Sequence, residues 1–140
     1  MATRPEHPGV PEFMKRGAKA IPYGDLHAAR RILNGKQVAA VMLEPVLYEE
    51  ASPAYLADLA KACWLNGTLL IWDENVTGFR WANGGAQEYF KIQPDLAVFG
   101  KAMANGFPLA AIVGSRELMQ HATVVSGTFG GEIKIGRAHV

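Results

Sequence analysis

The amino-acid sequence predicts an α/β fold: a mainly parallel sheet with one antiparallel strand and helices on both faces. Short, continuous apolar runs alternate with segments of helical periodicity along the chain. The connection between the first two runs has a length suited to a right-handed crossover, which makes the strands parallel. Only a short turn separates the last two runs, and such a connection favours an antiparallel pair.

The first half of the chain contains the elements with the clearest boundaries. Residues 25–34 carry apolar side chains at helical spacing, and Gly35 follows as a stop signal. Residues 38–43 form an apolar run typical of a parallel strand covered on both faces. Ser52-Pro53 supplies an N-cap and a first helical residue for a second helix, which Gly67 closes.

The second half continues the same alternation. Residues 68–72 and 96–99 are apolar runs that predict two more strands, and residues 109–113 predict the antiparallel fourth strand. Residues 86–90, which follow a glycine-rich loop, predict a single helical turn.

Composition and charge exclude several classes of function. The 140 residues are 49% apolar with a net charge of +1, so no basic surface is expected for nucleic acid or an anionic membrane. No apolar run reaches the roughly 18 residues of a membrane span, and the first residues lack a signal peptide. Cys63 is the only cysteine, which excludes an intrachain disulfide and favours a buried thiol. We expect a cytoplasmic protein with no metal site.

The domain organisation is expected to be incomplete. Residues 1–134 contain no repeat or linker and are interpreted as part of one domain. Residues 135–140 match the translation of a common sequencing adapter, so they are interpreted as a non-native tail.

Charged residues follow three of the predicted strands. These are Glu44, then Asp73 with Glu74, and then Lys101 directly after Gly100. Because ligands of open α/β sheets bind beyond the carboxyl ends of the strands, an acid and a lysine placed there predict a functional site.

Three segments carry a resemblance to a known family. They are residues 70–80 (Leu-Ile-Trp-Asp-Glu-Asn-Val-Thr-Gly-Phe-Arg), residues 84–90, and residues 94–108, which include Gly100-Lys101. In order and spacing they resemble class III aminotransferases, which are fold type I enzymes dependent on pyridoxal 5'-phosphate (PLP), and especially the glutamate-1-semialdehyde 2,1-aminomutase-like branch. The resemblance implies an interior fragment of the large PLP-binding domain.

The resemblance also implies roles for two of the strand-end residues. Lys101 would hold PLP as a Schiff base and move a proton between substrate and cofactor, since only a primary amine condenses with the aldehyde. We expect a partly desolvated pocket around it. Asp73 would bind the protonated pyridine nitrogen and so keep the ring an electron sink. For Glu74 and Glu44, a structural hydrogen bond to loop backbone is expected in place of a catalytic role.

Three further positions are cofactor-binding candidates. The family usually has an apolar residue such as Val on the pyridine face where this chain has Asn75, whose amide could contact cofactor or substrate, or turn away. Gly127 and Thr128 match the segment that reaches the cofactor phosphate of the neighbouring subunit, with an amide and a hydroxyl as donors. The resemblance therefore implies a homodimer with shared cofactor sites.

Several alternatives stay open at this point. The parent enzyme would move an amino group between an amine donor and a carbonyl acceptor, or within one molecule as the aminomutase does; the fragment by itself would be inactive. A P-loop NTPase would also place acids after an apolar strand, but no Gly-x-x-x-x-Gly-Lys-Ser/Thr occurs, and Ala102 follows Lys101. A catalytically silent homologue would not need both Asp73 and Lys101.

Overall fold

The computed structural model describes residue 11, residues 17–47 and residues 52–121. In chain order the elements are α1 (Leu26–Leu33), β1 (Ala40–Leu43), α2 (Pro53–Leu65), β2 (Leu69–Asp73), α3 (Ala86–Phe90), β3 (Leu96–Phe99), a 3-10 turn (Lys101–Ala104), β4 (Ala111–Gly114) and α4 (Arg116–Met119).

The four strands form one sheet in the order β1-β2-β3-β4. The pairs β1–β2 and β2–β3 are parallel, whereas β4 runs antiparallel to β3. This arrangement confirms the predicted mixed α/β fold. Because residues directly paired across a sheet share a face, the register divides the strands into two sets of side chains.

One face of the sheet is covered by helices and is called here the helix-covered face. Leu70 and Trp72 lie on it and are buried together with Leu33 of α1 and Leu56 of α2. The Trp72 ring meets Phe90 of α3 edge-on, with 6.4 Å between ring centroids. The core of the described residues therefore lies between this face and the first three helices.

The opposite face, called here the open face, is less protected among the described residues. Met42 lies on it with 60% of its surface exposed, and Ile112 with 45%. Among the described residues only one layer of helices packs on β1 and β2, so the predicted cover of the first strand on both faces is not found there. Helical cover of the open face stays a prediction.

The helix ends differ from the predictions in small ways. Asp25 caps α1 by accepting a hydrogen bond from the Ala28 amide at 2.9 Å. The left-handed residue beyond α1 is Lys36 (φ 52°), so Gly35 does not end this helix through a positive φ. Ser52 precedes α2 as predicted, but its side chain makes no capping hydrogen bond. Gly67 closes α2 with φ 66°, as expected.

Two predicted exclusions concern the same part of the chain. Among the described residues, no helix is long and apolar enough to cross a membrane. Within the same ranges, no group of three or more His, Cys, Asp or Glu side chains is placed to hold a metal ion. Cys63 is buried, as its position in the helix predicted.

Candidate active site

The structure brings the predicted acid and lysine to the same edge of the sheet. Asp73 is the last residue of β2 and pairs with Val98 of the neighbouring parallel strand β3. Gly100 and Lys101 follow the end of β3 directly. Asp73 shares the open face with Val98, because the two are direct partners in the register.

The Asp73 carboxylate is half-buried and oriented by one neighbour. Its Oδ1 accepts hydrogen bonds from the backbone N–H of Asn75 at 2.9 Å and from the Asn75 Nδ2 at 2.8 Å. Oδ2 accepts none from the residues that the structure describes. A carboxylate oxygen has two lone pairs, so Oδ1 is saturated while Oδ2 is available for another donor.

Lys101 begins the 3-10 turn in a left-handed conformation, with φ 35°. Its side chain is exposed and makes no hydrogen bond or ion pair within the described ranges. The expected desolvated pocket is therefore not formed around Lys101 by the described residues. The amine is free to reach a ligand at the sheet edge.

Glu74 has a different environment from its neighbour Asp73. It is fully buried and accepts hydrogen bonds from the Thr77 hydroxyl, the Ala86 backbone N–H at 2.8 Å and the Gln87 backbone N–H at 3.0 Å. These two amides belong to the first residues of α3. The N-cap residue of this helix, Gly85, supplies no capping side chain. The predicted structural role of Glu74 is confirmed.

Sequence reasoning missed the partners of Glu74. The signal was available in part, since a helical turn preceded by Gly84 and Gly85 has no polar side chain at its N-cap and must find an acceptor elsewhere. Gly85 adopts φ 81°, and a Cβ there would lie 2.6 Å from Glu74 Oε2. The glycine therefore serves both the turn and the close approach of the acid.

Glu44 does not behave as expected. It follows β1, but its carboxylate accepts no hydrogen bond from the described part of the chain, so the predicted bond to loop backbone is not found there. Its charge instead acts on Tyr23, whose hydroxyl donates to the Pro45 carbonyl at 2.7 Å. Burial, with smaller contributions from Tyr55 and Glu44, raises the pKa of Tyr23 to about 12.

Gly127 and Thr128 lie outside the described residues, so their predicted phosphate contact stays a prediction. A depression of about 550 Å³ is lined in part by Phe99 and Val113, which lie on the face of the sheet opposite Asp73. It is therefore separate from the strand-end acid and lysine.

The fold and this edge define a class: an α/β protein whose candidate ligand site combines an exposed primary amine with an oriented carboxylate at neighbouring strand ends. A family model described as "Aminotransferase class-III" matches residues 11–134. The chain belongs to the class-III aminotransferase family.

Individual relatives agree with this assignment. The chain is 42% identical over 121 residues to the glutamate-1-semialdehyde 2,1-aminomutase of Gemmatimonas aurantiaca, covering 84% of this chain and 28% of that protein. Its fold matches an omega-transaminase from Sphaerobacter thermophilus with a TM-score of 0.76 and 30% identity, over 82% of this chain and 27% of the other. A glutamate-1-semialdehyde aminomutase from Pseudomonas aeruginosa PAO1, solved in complex with PMP, matches with a TM-score of 0.63 and 27% identity, over 69% and 22% of the two chains. The chain thus spans less than a third of the length of each.

Proposed function

We propose that this chain is part of the large cofactor-binding domain of a PLP-dependent aminotransferase or aminomutase. One observation carries the proposal: Asp73 and Lys101 lie at the carboxyl ends of adjacent parallel strands in a member of this family. Residues 1–134 would belong to that domain and residues 135–140 would be a non-native tail. The short span relative to the relatives supports a longer parent protein.

The side chains present fit the chemistry of the cofactor. PLP offers an aldehyde, a pyridine nitrogen and a phosphate, and when bound it withdraws electrons from the substrate carbon. Lys101 supplies an exposed primary amine for covalent attachment at the aldehyde. Asp73 supplies a carboxylate with one oxygen left open towards an N–H donor.

Lys101 and Asp73 would have different roles during turnover. Lys101 would hold the cofactor through its amine, and its neutral Nζ would also move a proton at the substrate carbon. Asp73 would keep a proton on the pyridine nitrogen, because its Oδ2 would accept a charge-assisted hydrogen bond from that N–H. The fixed position of Oδ1 would keep this second oxygen aimed at the ring.

The parent protein would act in the cytoplasm on small molecules, an amine donor and a carbonyl acceptor, without nucleic acid or a membrane as partner. It would be a homodimer in which Gly127 and Thr128 donate to the phosphate of the partner's cofactor. Exposed Lys101 and the unprotected open face beside it are consistent with a site completed by other parts of the dimer.

Covalent trapping tests the cofactor proposal directly. Borohydride reduction of the full-length protein with PLP, followed by peptide mass analysis, should place the cofactor on Lys101. Lys101→Ala should abolish trapping at this peptide, whereas Lys91→Ala, which removes another exposed lysine, should leave it unchanged. Trapping on a different lysine, or persistence in Lys101→Ala, would refute the assignment.

The aminomutase activity is a second candidate, and the 42% identity to a glutamate-1-semialdehyde 2,1-aminomutase favours it. An aminomutase moves the amino group within one molecule, so it should consume glutamate-1-semialdehyde without any added amine or keto acid. An intermolecular aminotransferase should instead require both a donor and an acceptor. Steady-state assays with one and with two substrates separate the two activities.

A further inference from the structure

The Asn75 side chain lies against Asp73 at the end of β2 and against Gly100, which precedes Lys101. Its Nδ2 donates to Asp73 Oδ1 at 2.8 Å, and its own backbone N–H donates to the same oxygen at 2.9 Å. The two bonds hold the carboxylate in an Asx turn and occupy both lone pairs of Oδ1. A rotation of Asp73 would break both, so the direction of Oδ2 is fixed by this one residue.

The carbonyl end of the same amide faces the other strand. A Cβ added to Gly100 would overlap Asn75 Oδ1, and among the described residues only the Asn75 side chain comes within 4 Å of that Cβ position, apart from the chain neighbours of Gly100. Gly100 has φ −159° and ψ −140°, so its φ is not a left-handed value. Glycine is therefore needed at position 100 because the Asn75 side chain occupies the volume that a Cβ would fill.

Gly100 is the residue that leads into Lys101. Its carbonyl accepts from the Met103 backbone N–H at 2.8 Å and closes the 3-10 turn, in which Lys101 has φ 35°. A displacement of Gly100 would therefore be transmitted to the backbone that carries the lysine. The Asn75 side chain thus lies between the acid at the end of β2 and the lysine after β3.

We propose that Asn75 is a positioning residue that sets the spacing of Asp73 and Lys101, through hydrogen bonds to the acid and packing against Gly100. This inference rests on the proposed function and adds a residue to its site. A Val at this position, as the family usually has, could neither donate to the carboxylate nor fill the same planar gap. The chain therefore orients its acid with a side-chain amide.

Binding of pyridoxamine 5'-phosphate tests the acid half of this proposal, because this amine cannot bond covalently to Lys101. In the full-length protein we expect Asn75→Ala to raise its dissociation constant about tenfold, the effect of losing one hydrogen bond to a charged group. Asn75→Asp keeps the shape but places two carboxylates together, and should weaken binding further. Asn66→Ala is the matched control: it loses an amide hydrogen bond of 2.9 Å to the Ala62 carbonyl, far from the site, and should lower stability without changing affinity.

Rescue tests the Gly100 half. Gly100→Ala should abolish or strongly slow covalent capture of PLP when Asn75 is present, because the new methyl group displaces the amide. In the Asn75→Ala background the methyl group no longer meets the amide, so the double variant should capture PLP clearly better than Gly100→Ala alone. A merely destabilising Gly100→Ala would not be rescued in this way.

The possible failures are distinguishable. Equal affinity of Asn75→Ala and the unmodified protein, or equal harm from Gly100→Ala in both backgrounds, would overturn the positioning role while leaving the proposed function standing. Failure of the unmodified protein to bind either form of the cofactor would overturn the proposed function and this inference with it. Urea unfolding of the four proteins of the 75/100 cycle measures the contact without cofactor, and an absence of coupling there would also overturn the inference.

Discussion

Two adjacent acids at the end of β2 have separate tasks because neighbouring residues of an extended strand point to opposite faces. Asp73 lies on the open face, with one carboxylate oxygen left without a donor among the described residues. Glu74 points into the helix-covered side, where it is buried and holds the start of α3. The carboxylate proposed to bind the cofactor and the carboxylate that supports the loop thus occupy neighbouring positions.

Glu74→Gln should destabilise the protein strongly. The Ala86 backbone N–H donates to Oε2 and that of Gln87 to Oε1, so an amide NH₂ in place of either oxygen leaves one of these donors without an acceptor. We expect a loss of about 3 kcal/mol in the free energy of unfolding. Urea unfolding measures it, with exposed Glu117→Gln as the control; equal effects of the two substitutions would contradict the role given to Glu74.

Tyr23 should make stability fall at alkaline pH. Its pKa is raised from 10.0 to about 12 in the folded protein, mainly by burial, so the unfolded state binds fewer protons between these values. The free energy of unfolding therefore decreases as pH rises through this window. Tyr55 and Cys63, whose pKa values burial also raises, act in the same direction.

The Tyr23→Phe variant isolates this contribution. It loses the hydrogen bond to the Pro45 carbonyl, a constant cost of about 1 kcal/mol below pH 10. Across pH 10 to 12 its stability should fall less steeply than that of the unmodified protein, as urea unfolding at several pH values would show. Parallel slopes for the two proteins would rule out this explanation.

At the scale of elements, the periodicity of apolar residues predicted those strands and helices that pack one side against the core. The apolar runs located β2 and β3, and the spacing of Leu56, Leu59 and Cys63 located α2, because each of these elements buries one continuous side. The four-residue α4 and the 3-10 turn were missed, since neither is long enough to produce a period.

The site could be predicted in part for the same reason. The strand ends that carry Asp73 and Lys101 follow from the apolar runs, whereas the contact of Asn75 with Gly100 joins residues 25 positions apart through the register of two strands. No local pattern encodes that register. Glu74 reaching α3 is a contact of the same kind.

The helix α2 should depend on its buried side alone. Leu56 is 1% exposed in the core, whereas Leu65 at the end of the same helix is 61% exposed. Leu56→Ala should cost roughly 2–5 kcal/mol of unfolding free energy through lost burial and a cavity, and Leu65→Ala less than about 0.5 kcal/mol. Thermal or urea unfolding of the pair compares the same chemical change in one helix; similar losses would show that the packing assigned to α2 is wrong.

At the scale of the whole molecule, the described residues would supply only part of the proposed site. Asp73, Asn75 and Lys101 are held by one sheet edge, but Lys101 is exposed and the open face beside it carries accessible apolar side chains such as Ile112. An exposed lysine beside an uncovered face gives little protection from water to a reaction at its amine. In the proposed homodimer, the missing cover and the phosphate donors would come from outside the described residues.

Hybrid dimers test whether a site is shared between subunits. Suppose one subunit carries Lys101→Ala and the other Thr128→Ala. If Thr128 serves the partner's cofactor, one of the two sites combines both defects, and the other combines the intact Lys101 with the intact Thr128. Each homodimer should be impaired, Lys101→Ala in covalent attachment and Thr128→Ala in affinity for the phosphate.

The hybrid should therefore regain about half of the tight, borohydride-trappable PLP of the unmodified dimer, because symmetry makes the two sites reciprocal. The measurement is trapped cofactor per dimer at limiting PLP, in hybrids purified by two different affinity tags. If each subunit instead supplied its own phosphate donors, both sites of the hybrid would stay defective and no tight binding would return. Restored tight binding in the hybrid would therefore show that Thr128 acts across the dimer, since neither mutant subunit contains both an intact Lys101 and an intact Thr128.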